Sequence, residues 1–420
     1  MHLSEPGVSR YCISEQTLSL KRRRGSGAVD REALERSLAK RLVDHLEHHT
    51  TDMASAVLEV PSEIYTSPER YAAEVEVLFK GTPLVFGLSG ALPHPGTYWT
   101  VDLMGTPVLL TRDTEGKVHA LVNVCRHRGV RVVDGCGSAR RFSCPFHAWN
   151  YDLDGTLLRM PFPEGFEGMD LADKGLIELP VAEGYGLIVG RLRPGPPVDL
   201  DEFLGPDLSG ELATLDFVGW EPAAASHIHP VEANWKVTLD TFRENYHFDY
   251  LHAKTLGEYA YGGVLTFDPF GPHLRNCSAI RSIDELRDLP EEQWGDVSQH
   301  FSYQYQLFPN TSLTFDARHI ELWQIMPVDP SRSEVIHTAY LRPDLSEEER
   351  TKAIEMAPWI CETVVDGEDF WVAARTEPGI SSGLVDTVVF GRNEPALQHL
   401  HHHFTSALEA ARDDGASLGG

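Results

Sequence analysis

The chain lacks any long apolar run and has few cysteines. No stretch of about 18 consecutive apolar residues occurs among its 420, so no membrane-spanning helix is expected. The first 30 residues also lack the apolar segment of a secretory signal. Six cysteines in 420 residues do not make a disulfide scaffold. Without an export signal the expected setting is a reducing cytoplasm, where clustered cysteines bind metal more often than they cross-link. Positive charge is scarce as well: 36 Lys and Arg against 63 Asp and Glu give a net charge of −27. Such a field repels phosphate backbones and anionic bilayers, so neither nucleic acid nor a membrane is an expected partner. The run Lys21–Arg24 is a local exception and reads as part of a solvated tail. There is no internal repeat and no dinucleotide fingerprint, because "GCGSAR" lacks both the third glycine and a following helical pattern.

What is present is an ordinary globular composition, 42% hydrophobic and 24% charged, long enough for two or three cores. Residues 1–66 read as a polar tail followed by a helix: in "DREALERSLAKRLVDHLEHH" the leucines 34, 38, 42 and 46 recur at i, i+4. Ser67-Pro68 opens a second helix running to Phe79. Short alternating strands with Gly and Asp-Gly turns then continue to Arg193, defining a β-rich domain over 67–193. The Pro- and Gly-rich stretch 193–203 reads as a linker. A mixed domain over 194–412 follows, with helices near 234–252, 346–376 and 394–412 and a hairpin turning at 327–333. Residues 413–420 read as a disordered tail.

Two mixed pairs of metal-ligand residues dominate the β-rich domain: Cys125-x-His127, then 16 residues, then Cys144-x-x-His147. Zinc sites usually place two cysteines on one knuckle and two histidines on the other. Here each knuckle carries one of each, the arrangement a Rieske [2Fe–2S] cluster needs, with two thiolates on one iron and two imidazoles on the other. Cys136 between the pairs reads as a small loop residue. Gly129, Gly135 and Gly137 would supply tight turns. Arg128 either pairs with an acid or is an exposed loop charge.

A second group follows about a hundred residues later in "NWKVTLDTFRENYHFDYLH", which contains Glu244-x-x-His247-x4-His252. On a regular helix His252 would lie about 140° round and ~7.5 Å along from His247. The two can meet one ion only if the helix ends or bulges between them. Two histidines and a carboxylate make the facial triad of a non-haem Fe(II) oxygenase. Asp366, Glu368 and Asp369 are all candidates for the carboxylate, and spacing does not choose among them.

Taken together, Cys125/His127/Cys144/His147, "CPFHAW", "YDLDGTL", "NWK…FRENYHFDYLH" and "FGRNEPAL" resemble the large (alpha) subunit of Rieske non-haem iron ring-hydroxylating oxygenases over roughly residues 71–404. The resemblance implies an α+β chain, an antiparallel-β Rieske domain joined to a helix-grip catalytic domain. It implies His247, His252 and Asp369 as ligands of a mononuclear Fe(II), and Glu244 as the acid that bridges the two metal centres between neighbouring subunits of a homotrimer. It also implies a small organic substrate, aromatic or apolar, that is hydroxylated, dihydroxylated or demethylated with O2. Electrons would come from a separate reductase or ferredoxin, since the chain has no flavin or nicotinamide motif of its own. Three positions depart from the family pattern: Arg126 replaces a frequent proline, Ala148 a frequent glycine and Thr241 a frequent asparagine. Glu244 stands where many members have Asp.

Two rivals remain open on sequence: an iron–sulfur electron-transfer protein without oxygenation chemistry, and a zinc-stabilised ligand-binding module. "QHLHHH" (398–403) reads as a solvated face at the start of the terminal helix, and His227 and His229 as ordinary polar positions. Tyr305, Leu313, Phe315 and Trp323 lie on strands that would form the pocket, although core packing explains any one of them.

Overall fold

The computed structural model describes residues 29–215, 217–223, 226–315 and 319–413. The basic run 21–24, most of the expected N-terminal tail and the C-terminal tail after Asp413 lie outside the described residues. The fold is α+β with antiparallel sheets throughout, in two parts that share a core.

The β-rich part is built on a five-stranded sheet. Its order is Glu178–Leu179, Val118–Val122, Thr106–Arg112, Thr97–Leu103, Cys136–Ser138. A three-stranded sheet of Val181–Gly184, Leu187–Gly190 and Leu84–Leu88 backs it. A small three-stranded sheet, Phe142–Ser143, Asn150–Tyr151 and Leu157–Arg159, stands apart. One cysteine–histidine loop follows Val118–Val122 of the five-stranded sheet, and the other joins Phe142–Ser143 to Asn150–Tyr151 of the small sheet. Beneath them lies a compact apolar cluster that includes Leu109, Leu121, Val132, Phe142, Trp149 and Tyr151, all buried.

The second part is an eight-stranded antiparallel sheet. One path runs from Glu221–Pro222 through Arg332–Leu341, His319–Asp329, Thr311–Phe315, Phe301–Leu307 and His273–Ile280 to Ala260–Phe270, and His227–Val231 also pairs with Arg332–Leu341. The hairpin expected at 327–333 is present between the last two long strands. Alternation along the strands gives the sheet two apolar faces. On one face the short helix Trp235–Asp240 packs with Trp323, Ile325 and Val335 in one core. On the other, Tyr303, Leu313, Phe315 and Tyr340 join the N-terminal helix Arg31–His48. That helix is tied to the sheet by Arg41, which reaches Asp268 at 2.9 Å. Tyr305, Leu313 and Phe315 belong to this second core, with the Tyr305 and Phe315 rings stacked at 5.7 Å. Of the four pocket candidates on the strands, only Trp323 faces the metal-ligand side.

Two helical expectations need correction. The segment 234–252 is not one helix: it is α-helical only over Trp235–Asp240, capped by the Asn234 side chain on the Lys236 N–H, and afterwards makes only the short 3-10 turn Tyr246–Asp249. Asn245 explains part of this. Its side-chain amide donates to Val264 O (3.0 Å) and Ser278 Oγ (3.1 Å), holding the backbone against the sheet edge and out of helical register. The second correction concerns 346–376. A capping box at Ser346 and Glu349 starts the helix Glu347–Pro358, but Trp359–Phe370 continues as a π-helix before α-helix resumes over Trp371–Ser381. The looser winding falls on the carboxylate-bearing segment, not between the histidines.

Candidate metal centres

Two loops bring the first four ligand candidates together: Cys125 and His127 lie on the connection between Val118–Val122 and Cys136–Ser138, and Cys144 and His147 on the hairpin between Phe142–Ser143 and Asn150–Tyr151. Cys125 and Cys144 are buried and form no disulfide. The His127 and His147 rings lie 4.5 Å apart. Gly129 and Gly135 sit at φ 74° and 73°, left-handed turns that both lie in the loop carrying Cys125 and His127. Gly137 instead lies in the strand Cys136–Ser138, where a Cβ would press on the Tyr98 ring at 3.3 Å. Cys136 is in that same strand, opposite Trp99, and forms no disulfide. Ala148 adopts φ 53°, a conformation that favours glycine.

The chemistry of these four side chains suits a [2Fe–2S] cluster. The Nδ1 atoms of His127 and His147 are buried with no hydrogen-bond partner among the described residues, so both offer the same inward nitrogen. Tyr151 Oη lies 3.3 Å from Cys125 Sγ and accepts the Arg126 N–H at 3.1 Å. Burial pushes the Cys144 thiol up, against hydrogen bonds from the His147 and Phe146 N–H groups that favour its thiolate. Those N–H groups are the donors that sulfur ligands of iron–sulfur clusters use. Trp149 stacks on His127 at 5.0 Å with the planes 3° apart, fixing that ring. Arg128 lies 5.7 Å over the exposed ring of Phe146.

The second group assembles despite the missing helix. His247 lies on the short turn Tyr246–Asp249 and His252 in the bend after it, with ring centroids 4.9 Å apart. Asp369 comes from the π-helix: its Oδ1 is 3.3 Å from His252 Nε2 and 3.6 Å from His247 Nε2. One donor atom from each of the three lies within 4.8 Å of the others. Asp369 Oδ1 and His247 Nε2 are buried and carry no hydrogen bond, as expected of ligands facing an ion.

The outer nitrogens are held by acids. His247 donates Nδ1–H to Glu244 Oε1, and its peptide N–H reaches Glu244 Oε2 at 3.2 Å. His252 donates Nδ1–H to Glu368 Oε2 at 2.7 Å, which also accepts from Thr255 Oγ1 at 2.6 Å. Burial opposes a charge on His252, but Asp369 and Glu368 outweigh it, so its imidazole is held above the ordinary histidine range. Negative potential at that point also favours a cation. The three carboxylates left open by spacing are thus separated by geometry. Asp369 faces inward to both Nε2 atoms, Glu368 holds His252 from behind, and Asp366 accepts from His229 Nδ1 at 2.7 Å.

A cluster the sequence did not reveal borders this site. His229, His337 and Cys361 are buried within donor reach of one another. Cys361 Sγ is 2.9 Å from His337 Nδ1, and His337 Nε2 donates to Glu321. His229 packs on Phe370 at 5.6 Å and His337 stacks on Trp323 at 3.8 Å. His337 and His227 are register partners on neighbouring strands more than a hundred residues apart, a pairing no local pattern signals. The His399 and His403 rings of "QHLHHH" lie 4.4 Å apart and tilted by 58°, and His401 is buried on Asp240; none of them joins a metal-ligand group among the described residues.

Known proteins resemble the chain in both parts. Residues 83–172 match the family model "Rieske [2Fe-2S] domain", and residues 217–410 match "Ring hydroxylating alpha subunit (catalytic domain)". The glycine betaine monooxygenase oxygenase subunit of Chromohalobacter salexigens is 34% identical over 198 residues, covering 47% of this chain and 44% of that protein. The chloroplastic choline monooxygenase of Spinacia oleracea is 28% identical over 299 residues, 69% of this chain and 64% of that protein. The matched stretches therefore span less than two thirds of these relatives' length. Among solved structures, the quaternary ammonium Rieske monooxygenase CntA with L-carnitine superposes with a TM-score of 0.69 at 18% identity, over 91% of this chain and 99% of that one. Naphthalene 1,2-dioxygenase with indole gives 0.66 at 20%, over 84% and 92%. No described helix is long and apolar enough to cross a membrane.

Proposed function

Because the chain belongs to the large-subunit family of Rieske oxygenases, we propose that it is the terminal oxygenase of a multicomponent system acting with O2 on a small organic substrate. Cys125, His127, Cys144 and His147 would hold a [2Fe–2S] cluster, and His247, His252 and Asp369 a mononuclear Fe(II). When bound, the cluster supplies stored electrons and the mononuclear iron an open coordination site for dioxygen. The observation that carries the reading is the convergence of the inward atoms of His247, His252 and Asp369, with both histidines held from behind by acids. An electron-transfer protein alone has no use for this second centre.

The chain's own groups do the positioning. Glu244 fixes the tautomer and plane of His247, and Glu368 does the same for His252, leaving Nε2 of each as the ligand atom. Phe242, Trp323 and Phe370 form an aromatic wall, with Phe242 5.6 Å from Trp323 and 6.1 Å from Phe370. Such a wall excludes water and accepts either an aromatic ring or, through cation–π attraction, a methylated ammonium group. Relatives named for glycine betaine and choline favour hydroxylation or oxidative demethylation of a methylamine over aromatic hydrocarbon breakdown. The reading includes a partner reductase or ferredoxin, a homotrimer and a cytoplasmic setting. Incubation with a generic reductase, isotopically labelled O2 and a panel of methylamines and aromatics tests it. Label in a hydroxylated or demethylated product supports it, and reductant use without product from any panel member contradicts it.

Glu244→Gln tests the bridging acid. The amide keeps the size but removes the charge that binds His247. Iron and sulfide content should stay near normal and the visible spectrum unchanged, while product formation falls by a factor on the order of 10–100, the usual cost of losing a partner of a metal-bound histidine. Wild-type turnover in this variant would remove Glu244 from the machinery.

A further inference from the structure

Arg243 lies between Phe242 and Glu244, in the segment that carries the iron histidines, and it is fully buried. Its Nη2 donates to Ser312 Oγ at 2.6 Å. Its Nε and Nη1 have no acceptor among the described residues, and no described carboxylate pairs with it. Burial alone acts on it, pushing the guanidinium down to about 9 with no nearby acid to offset the cost; it still carries its charge at neutral pH. A buried arginine without a counter-ion is rare because desolvating the charge is expensive unless an anion or several acceptors repay it.

Its surroundings are polar and equally unsatisfied. Asn276 Oδ1 and Gln306 Oε1 are buried without partners. The Asn276 amide donates to the Arg243 carbonyl at 3.4 Å, and Gln306 is the strand partner of Ser312. Ser312 is in turn the strand partner of Trp323, whose ring faces Phe242 at 5.6 Å. Phe242 faces Phe370, the residue after Asp369. A chain of ring contacts and strand pairings therefore links the proposed iron ligand through three aromatic rings to the guanidinium.

We propose that Arg243 is the substrate anchor, binding a carboxylate on the organic substrate while the aromatic wall holds the remainder towards the metal triad. The planar guanidinium fork offers parallel N–H donors that match a carboxylate's two oxygens. The inference rests on the oxygenase reading for the direction in which the substrate lies, but binding can be read without turnover.

The test is calorimetric titration of the purified holoprotein, under nitrogen, with paired carboxylates and their primary amides: acetate, butyrate, benzoate, phenylacetate and glycine betaine. At least one acid should bind ten times more tightly than its amide. Arg243→Met should bring that acid to the level of the amide, and Arg243→Lys should keep part of the preference. If Arg243→Met fails to fold, the wild-type acid–amide comparison and the Lys variant still decide. A preference below tenfold in every pair, or one that survives in Arg243→Met, overturns the proposal. A preferred acid that is bound but never oxidised with reductase and O2 upholds the anchor and contradicts the oxygenase reading instead.

Discussion

Cys125→Ala and Cys144→Ala should each abolish the visible absorption of the cluster, whereas Cys136→Ala should keep it. The two outer cysteines lie on two separate loops, both buried, and thiolates must hold one iron from both sides. Alanine at either position leaves that iron with at most one thiolate. The small sheet and its apolar cluster around Trp149 and Tyr151 should persist, so the loss is one of cofactor first. Cys136 sits in a strand opposite Trp99, where alanine fits the same space. Absorption and circular dichroism between 300 and 600 nm, roughly the range of Rieske clusters, check this. An unchanged spectrum in Cys144→Ala would remove the cluster from these loops.

The second large effect concerns the mononuclear site. His247→Ala, His252→Ala and Asp369→Ala should each lower iron by about one per chain and stop oxygenation while leaving the cluster spectrum intact. Glu368→Ala and Asp366→Ala should be milder. Glu368 touches His252 Nδ1 and Asp366 touches His229, so neither offers an oxygen to the converging Nε2 atoms. Losing Glu368 frees the His252 ring to turn, which should weaken metal affinity roughly 10–100-fold and still permit loading at excess Fe(II). Full activity in Asp369→Ala with none in Glu368→Ala would exchange their roles.

These two centres differ in how far the sequence displayed them. The cysteine–histidine loops are local: each pair lies within four residues, and Gly129 at a left-handed turn flags the first of them. Their spacing alone separates a Rieske arrangement from the usual zinc knuckle. The histidine pair was legible as residue types, but its geometry was not. Helical periodicity over 234–252 suggested one helix, and tertiary bonds overrode it when the Asn245 amide took acceptors on neighbouring strands and the Arg243 side chain turned onto Ser312. The acid could not be chosen from "DGED" because 366, 368 and 369 differ only in direction, which the π-helical winding decides. The His229–His337–Cys361 cluster and the strand residues around Arg243 depend on sheet register between distant segments, and a single sequence does not carry that register. A buried, unpaired arginine also contradicts the expectation that charged residues face water, so sequence reasoning passes over it.

Iron and acid-labile sulfide, counted on one sample of the purified chain, test the account most directly, because it requires two separate metal centres in one polypeptide. About three irons and about two sulfides per chain are predicted, two irons with the sulfides in the cluster and one at His247, His252 and Asp369. About two irons and two sulfides after loading with excess Fe(II), or stoichiometric zinc without sulfide, would contradict it.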